Sequence, residues 1–365
     1  MGLFTQYTDQ LPSITGVALG ETVRIPLTRD FPREGFIVTI SGTSSAHGTI
    51  NRRGLLEILK RCRLVANDGA SNRTLVDADG LSLLTRHVHY NGSVDKNTLK
   101  ANRDSKGAST GAFSVSFPHF FAPGSLNSPT RDLFLQNFPR FNSDPVLELQ
   151  IASAAEIAGS FALTGTLTIV VNEFKRLVDI RDWRFINTSF ETFEQSFAVD
   201  APNQRYQIPI PGYHFAIGMR PLTSASAYGD ISQTGGLMRV KALNTVERTT
   251  SFAQLQMVNQ YSAFPIYSGT DVFGTSSVDL SEAVNDSYDI AKDSAWFDYL
   301  TDQTGAAVDK LDTVFNSNLF VGIGASPELQ MDIAGGSGKS IVFMHDRCFG
   351  DIDMAISKSK LVAPR

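Results

Sequence analysis

Apolar side chains recur at every second position along most of this chain, and that period narrows the fold more than any other feature. Val23, Ile25 and Leu27 share one side of an extended segment, and Phe36, Val38 and Ile40 share one side of the next. Leu147, Leu149 and Ile151 alternate with Glu148 and Gln150, and Leu167, Ile169 and Val171 alternate with Thr166, Thr168 and Val170. The rhythm returns at Tyr206, Ile208 and Ile210, at Phe215, Ile217 and Met219, at Leu319, Val321 and Ile323, and at Leu329, Met331 and Ile333. Successive side chains of a strand point to opposite faces. One apolar face per strand therefore predicts antiparallel sheets packed face to face, an all-β sandwich. The 29 glycines and 15 prolines supply turns, and 25 phenylalanines suit the space between two sheets. Helical spacing is confined to Arg52–Cys62 and Thr304–Asn316, which are expected as connectors on the β scaffold.

The strand series also occurs twice. Arg24-Ile25-Pro26-Leu27 precedes Gly35-Phe36-Ile37-Val38-Thr39-Ile40-Ser41-Gly42, and Gln207-Ile208-Pro209-Ile210 precedes Gly212-Tyr213-His214-Phe215-Ala216-Ile217-Gly218-Met219. The first half closes with Pro145–Ile151 and Thr166–Val171, the second with Asn318–Ile323 and Lys339–Met344. A period of about 180 residues is far longer than a solenoid repeat and fits two copies of one sandwich domain. A length of 365 residues agrees with two domains. The charged segment Lys175–Asp182 follows a closing strand. It sets the expected units at 1–182 and 183–365, the second carrying an inserted region at about 271–318.

Composition excludes several classes. The chain is 42% hydrophobic and 19% charged, against roughly 25% charged in an average globular protein, so disorder is not the dominant state. Lys and Arg number 32 against 37 Asp and Glu, a net charge of −5 that lacks the basic excess of a phosphate-gripping protein. Two cysteines, Cys62 and Cys348, exclude a disulfide scaffold and a Cys-rich zinc site, and read as buried small residues. The start, Met1-Gly2-Leu3-Phe4-Thr5-Gln6, lacks a signal-peptide pattern and places Gln6 where myristoylation wants Ser or Thr. The uncharged run Gly107–Thr130 is broken by Pro118, Pro123 and Pro129 and is not expected to span a bilayer.

Chemical motifs are fragments. Gly107-Ala108-Ser109-Thr110-Gly111 spells a nucleophile elbow, but a polar loop at Asn102–Lys106 is expected before it and a strand after it, the inverse of the required context. Gly335-Gly336-Ser337-Gly338-Lys339-Ser340 lacks the first P-loop glycine, precedes a strand, and reads as a hairpin turn. Gly322 and Gly324 begin a dinucleotide fingerprint that Pro327 interrupts. His87 and His89 would share one face of a strand as a pair of metal ligands without a third. His119 and His214 read as core or interface residues. Asp77-Ala78-Asp79-Gly80 resembles part of a calcium loop, with Asp346, Asp351 and Asp353 as further carboxylates, which makes calcium a candidate ion. The basic pairs Arg52-Arg53 and Lys60-Arg61-x-Arg63 read as the solvated side of a helix, with an anionic partner as the alternative.

In layout the chain resembles the double jelly-roll major capsid proteins of tailless, membrane-containing bacterial viruses of the corticovirus, tectivirus and autolykivirus types. The resemblance rests on Gly35–Gly42, on Leu55–Gly69 as a helix-then-strand step, and on Phe113–Phe121, Asp132–Leu135 and Pro145–Ile151 in the first half. In the second half it rests on Met238–Tyr261, above all Ser251–Asn259. It implies two consecutive eight-stranded jelly-roll sandwiches with short connecting helices, and a non-enzymatic role. Three chains would form a pseudo-hexagonal homotrimer, and trimers would tile an icosahedral shell over an internal membrane. Implied partners are further copies of the chain, penton or vertex proteins and minor capsid proteins. The internal membrane or its proteins, met near Leu3, Phe4 and Tyr7, complete the set, and no direct nucleic-acid contact is implied. The place would be the virion, assembled in the host cytoplasm, and residues 271–318 would form an outward tower. No cofactor is implied, and calcium at Asp77 and Asp79 stays an open candidate. Two other readings stand beside it: a receptor- or carbohydrate-binding sandwich using Trp296, Phe297 and Tyr299, and a sandwich hydrolase using Ser109 or a pair of acids.

Overall fold

The alternating runs become strands, and the strands gather into two pairs of facing sheets. A computed structural model describes residues 5–69, 71–122, 134–177, 187–207, 213–242, 245–263, 287, 289–298 and 328–349. The first half contains β1 (Thr5–Gln10), β2 (Ile14–Val17), β3 (Thr22–Pro26), β4 (Arg33–Ala46), β5 (Leu59–Asn67) and β6 (Asn72–Ala78). Helices α1 (Gly80–Asn91) and α2 (Lys96–Lys106) follow. Then come β7 (Gly111–Phe120), β8 (Val146–Ile151), the short α3 (Ala154–Ile157), β9 (Ala162–Leu163) and β10 (Leu167–Leu177). One sheet runs β1-β10-β4-β7, with β2 also on β10. The facing one runs β3-β8-β5-β6. From β3 to β8 the chain crosses between the two sheets at every step except β5–β6, which pair as neighbours within one sheet, and this is the winding of a jelly roll. Phe36, Val38 and Ile40 of β4 meet Leu64, Leu147 and Leu149 in the core between them.

The second half repeats that winding. Its elements are β11 (Asn187–Ser196), β12 (Ala201–Gln207), β13 (Tyr213–Ser224), β14 (Ala227–Tyr228), β15 (Met238–Ala242), β16 (Thr245–Thr250), α4 (Phe252–Ala263), β17 (Ala295–Asp298), β18 (Glu328–Ile333) and β19 (Ser340–Phe349). Strands β11-β19-β13-β17 take the places of β1-β10-β4-β7, and β12-β18-β15-β16 those of β3-β8-β5-β6. A second core, with Ile217, Met219, Leu329, Met331 and Phe343, fills the space between them. The helices match as well. Each starts two residues after its strand, α1 after β6 and α4 after β16, and each has 12 residues. Asp79 caps α1 by accepting from the Ser82 amide at 2.8 Å, and Ser251 and Gln254 cap α4 reciprocally at 3.2 Å.

The two rolls share a sheet. Strand β11 pairs in parallel with β6, placing Phe190 opposite Val76 and Glu191 opposite Asp77. The β3-β8-β5-β6 sheet and the β11-β19-β13 sheet thereby form one nine-stranded sheet.

Several local expectations change. The helix expected over Arg52–Cys62 is only a 3-10 turn, Gly54–Glu57, and Leu59 already opens β5. Pairing of β5 with both β6 and β8 overrides the helical spacing, so Lys60, Arg61 and Arg63 stand on a strand. Asn102–Lys106 is the end of α2 rather than a loop. His87 and His89 lie on α1, where a two-residue step turns side chains to opposite sides, so they cannot share a metal as strand neighbours would. The glycine-rich turn before Ser340 joins β18 to β19 in different sheets and is a crossover, not a hairpin. A Cβ on Gly335 would lie 2.2 Å from the Val199 backbone, so the crossover needs glycine there. The closing pair of the second roll is β18 and β19; Asn318–Ile323 lies outside the described residues. So do the 182/183 boundary, Thr304–Asn316, Gly322, Gly324, Asp351 and Asp353. Of residues 271–318, Ser287 and 289–298 are described, and Ala295–Asp298 is β17 of the roll itself. Among the described residues no helix is long and apolar enough to cross a membrane.

Candidate functional site: the seam between two rolls

The densest buried polar chemistry lies where one roll meets the other, and α1 supplies much of it. The Arg86 guanidinium is buried. Its Nε donates to Asp346 of β19 at 2.7 Å and its Nη1 donates to the Phe120 carbonyl at 2.8 Å. The Tyr90 and Phe190 rings flank it at 5.3 and 5.2 Å, and the Tyr90 hydroxyl donates to the same Asp346 carboxylate at 2.9 Å. One turn away, His89 stacks flat on Trp296 of β17 with centroids 4.9 Å apart. A helix of the first roll thus grips three strands of the second. Both charges are out of water, so removing one partner leaves the other unpaired at a cost of several kcal/mol.

A second cluster faces it. Buried Arg220 of β13 gives Nη2 to both oxygens of Asp79 at 3.0 and 2.9 Å and lies 5.0 Å over the Tyr228 ring. Tyr228 donates its hydroxyl to Glu57. Burial pushes the Glu57 carboxyl and the Tyr228 hydroxyl up. Burial also opposes the charge on Arg220, but Asp79 and its neighbours outweigh that and raise its pKa. Arg53 pairs with Asp293 and with Asp289 at 3.5 Å. Burial would raise Asp289, yet Lys106, Lys292 and Asn102 hold its carboxyl well below the usual range. Backbone joins in: the Arg52 amide and Nε donate to the Ser226 and Ala225 carbonyls, both at 2.9 Å. An open cleft of about 780 Å³ lies along this seam. Its charged lining mixes Arg52, Lys60, Arg61 and Arg220 with Glu57, Asp77, Glu156 and Glu194, so no single-sign field focuses a charged ligand.

No protein-family model and no curated protein matches the sequence. Solved structures do match over nearly the whole chain. The MCP of STIV, the Sulfolobus Turreted Icosahedral Virus, aligns at 12% identity over 96% of this chain and 98% of its own, with a TM-score of 0.59. The PBCV-1 virus capsid aligns at 10% identity over 94% and 93%, with a TM-score of 0.56. The major capsid protein P2 of bacteriophage PM2 aligns at 13% identity over 95% and 98%, with a TM-score of 0.52. The fold is a double jelly roll. The likeness extends beyond bacteriophages, so the corticovirus, tectivirus and autolykivirus grouping expected from sequence is narrower than the fold supports.

Within the double jelly roll the sequence candidates scatter. Asp77 is held by Arg61, with two contacts of 2.6 Å, and lies 3.8 Å from Arg63; Asp79 is the α1 cap and the Arg220 partner. Arginines occupy the oxygens a calcium ion would need, and among the described residues no three His, Cys, Asp or Glu side chains group to hold a metal. Asp346, a further candidate carboxylate, is buried on β19 against Arg86. Leu3 and Phe4 lie outside the described residues. Tyr7 stands on β1, 47% exposed, near Leu177, which pairs with Thr5 and is 38% exposed. Ser109 sits in the turn between α2 and β7. Trp296 and Phe297 are buried on β17 and present no sugar platform; Tyr299 lies outside the described residues. His119 and His214 are buried among rings. Burial, then Arg86, holds the His119 imidazole far below its usual range. Cys62 is fully buried and its thiol is pushed up by that burial. Sequence reading missed Arg86 and Arg220. The available signal was a lone charge inside an apolar segment, Arg86 within Leu83–Val88 and Arg220 after Ile217 and Met219, each of which needs a buried partner.

Proposed function

We propose that this chain is the structural building block of a viral capsid. The observation that carries this is the doubled roll locked into one block: two copies of one winding, side by side, joined by a continuous sheet and buried ion pairs. A chain with two equivalent lobes supplies a third of a pseudo-hexagon, and three chains close it. The aligned proteins carry capsid names and cover the same span. The trimers then tile an icosahedral shell and meet penton or vertex and minor capsid proteins. The chain is not an enzyme and takes no cofactor. Tyr7 and Leu177 form a modest apolar patch suited to an internal membrane or its proteins. The net charge of −5 gives no general attraction to nucleic acid. The place of the protein is the virion, after assembly in the host cytoplasm.

Light scattering after size exclusion tests this. A single species near three times 39.8 kDa that resists dilution is expected. Chelation of divalent ions should leave it unchanged, because arginines already neutralise Asp77 and Asp79. A clean monomer at every concentration overturns the trimeric building block.

A further inference from the structure

We infer that α4 of one copy docks on the outer face of the β4–β10 sheet of a second copy, with Val258 seated on Val170. This rests on the trimeric reading and specifies its interface. The repeat inside the chain places matching elements in both rolls. Helices α1 and α4 have the same length and the same offset from their preceding strands, so Arg86 of α1 and Val258 of α4 hold equivalent places. Arg86 reaches Asp346. Asp346 stands opposite Ala216 in the β13–β19 ladder, and Val170 stands opposite Thr39 in the β4–β10 ladder. Thr39 and Ala216 are matched residues in the repeated segments Gly35–Gly42 and Gly212–Met219. Val170 is therefore the counterpart of Asp346 in the first roll, and Val258 the counterpart of Arg86 in the second.

Both counterparts change in the same direction. The seam inside the chain joins a cation to an anion, and the repeated positions offer valine to valine. Helix α4, FAQLQMVNQYSA, contains no acidic or basic residue, and Met257 and Val258 are 52% and 47% exposed. The face around Val170 is equally free of charge: Ile37, Thr39, Ser41, Thr168 and Asn172 point outward there and are half-buried. An uncharged helix fits an uncharged sheet face without desolvating any ion. Among the described residues, β16 and β1 also end their sheets, as β6 and β11 would without each other. Each roll therefore has one used and one unused copy of the same contact, which only a second molecule can complete in a closed ring.

The test is the dilution behaviour of the full chain by light scattering. Val258→Arg should make the trimer dissociate at a protein concentration roughly 100-fold higher, since an unpaired charge is buried. Val170→Asp should do the same, and the double variant should recover the trimer by recreating the Arg86–Asp346 pair between copies. Val199→Asp, at an apolar residue 71% exposed elsewhere, should change nothing. Val258 is exposed in the monomer, so its variant should keep the wild-type circular dichroism and carries the test even if Val170→Asp fails to fold. A wild-type trimer that Val258→Arg leaves unmoved overturns this interface and spares the trimeric reading. A wild-type monomer overturns both.

Discussion

Asp346 and Asp77 both answer an arginine from a strand, but their surroundings differ. The Asp346 and Arg86 side chains are 1% and 5% exposed, against 25% and 45% for Asp77 and Arg61. Water screens the second pair and not the first. Asp346→Ala should therefore cost about 3–5 kcal/mol in urea unfolding, and Asp77→Ala under about 1 kcal/mol. Equal losses would show that the seam is wetter than its geometry. His119 gives a further residue-level prediction. Among the described residues neither ring nitrogen has a hydrogen-bond partner, and Phe36, Phe121 and Phe190 surround the ring. Its folded pKa is depressed, so the folded state holds it neutral while the unfolded state takes a proton below about pH 6.5. The stability this gives is complete above that pH and is lost as pH falls below it. His87, held down to about 4 by burial and then by Arg86, loses its share between about 6.5 and about 4. The urea midpoint should drop between pH 7 and pH 5, and His119→Phe, which keeps the ring and removes the titration, should drop less. An equal drop in that variant would place the acid sensitivity elsewhere.

At the level of elements, helix starts are chemical decisions, and two aspartates make them with unequal duties. Asp95 caps α2 and accepts from the Asn97 and Thr98 amides at 2.9 and 3.1 Å. Asp79 caps α1 and also neutralises buried Arg220. Asp95→Ala should cost about 1 kcal/mol. Asp79→Ala should cost about 3 kcal/mol or more, since it strips a buried cation of its carboxylate. Thermal melts of the two variants make the comparison, and equal shifts would reduce the Arg220 contact to a surface pair. The same elements show what a one-dimensional reading can see. Strands β4, β8, β10, β13 and β18 were legible because their apolar period is local and needs no knowledge of partners. Helix α1 was not, because His87-Val88-His89 alternates like a strand while Leu81, Leu84 and Val88 keep a helical face that only burial reveals. Arg52–Cys62 failed in the other direction: its spacing suits a helix, and two neighbouring strands impose extension. The seam was the least legible part. Arg86 and Asp346 stand 260 residues apart, and a single sequence carries no signal that joins them.

For the whole molecule, the seam decides whether two rolls act as one body. Duplicated domains on a plain linker unfold separately, because few contacts cross between them. Here the sheet runs from β6 into β11, α1 reaches β19 and β17, and Arg220 returns from β13 to the α1 cap. Opening the seam exposes Phe190, Ala216 and Met344, which belong to the apolar cluster of the first roll although they come from the second. The first roll's core is therefore incomplete without the second. Calorimetry should show one transition for the wild-type chain, despite two rolls and two clusters. Asp346→Ala weakens the join without touching the second roll's own apolar cluster, so it should split or broaden that transition. Asp77→Ala, on the exposed face, should leave it single. Two transitions in the wild type would mean that the rolls behave as independent beads. In the proposed shell, rigid coupling of this kind would fix the angle between the two rolls inside each chain.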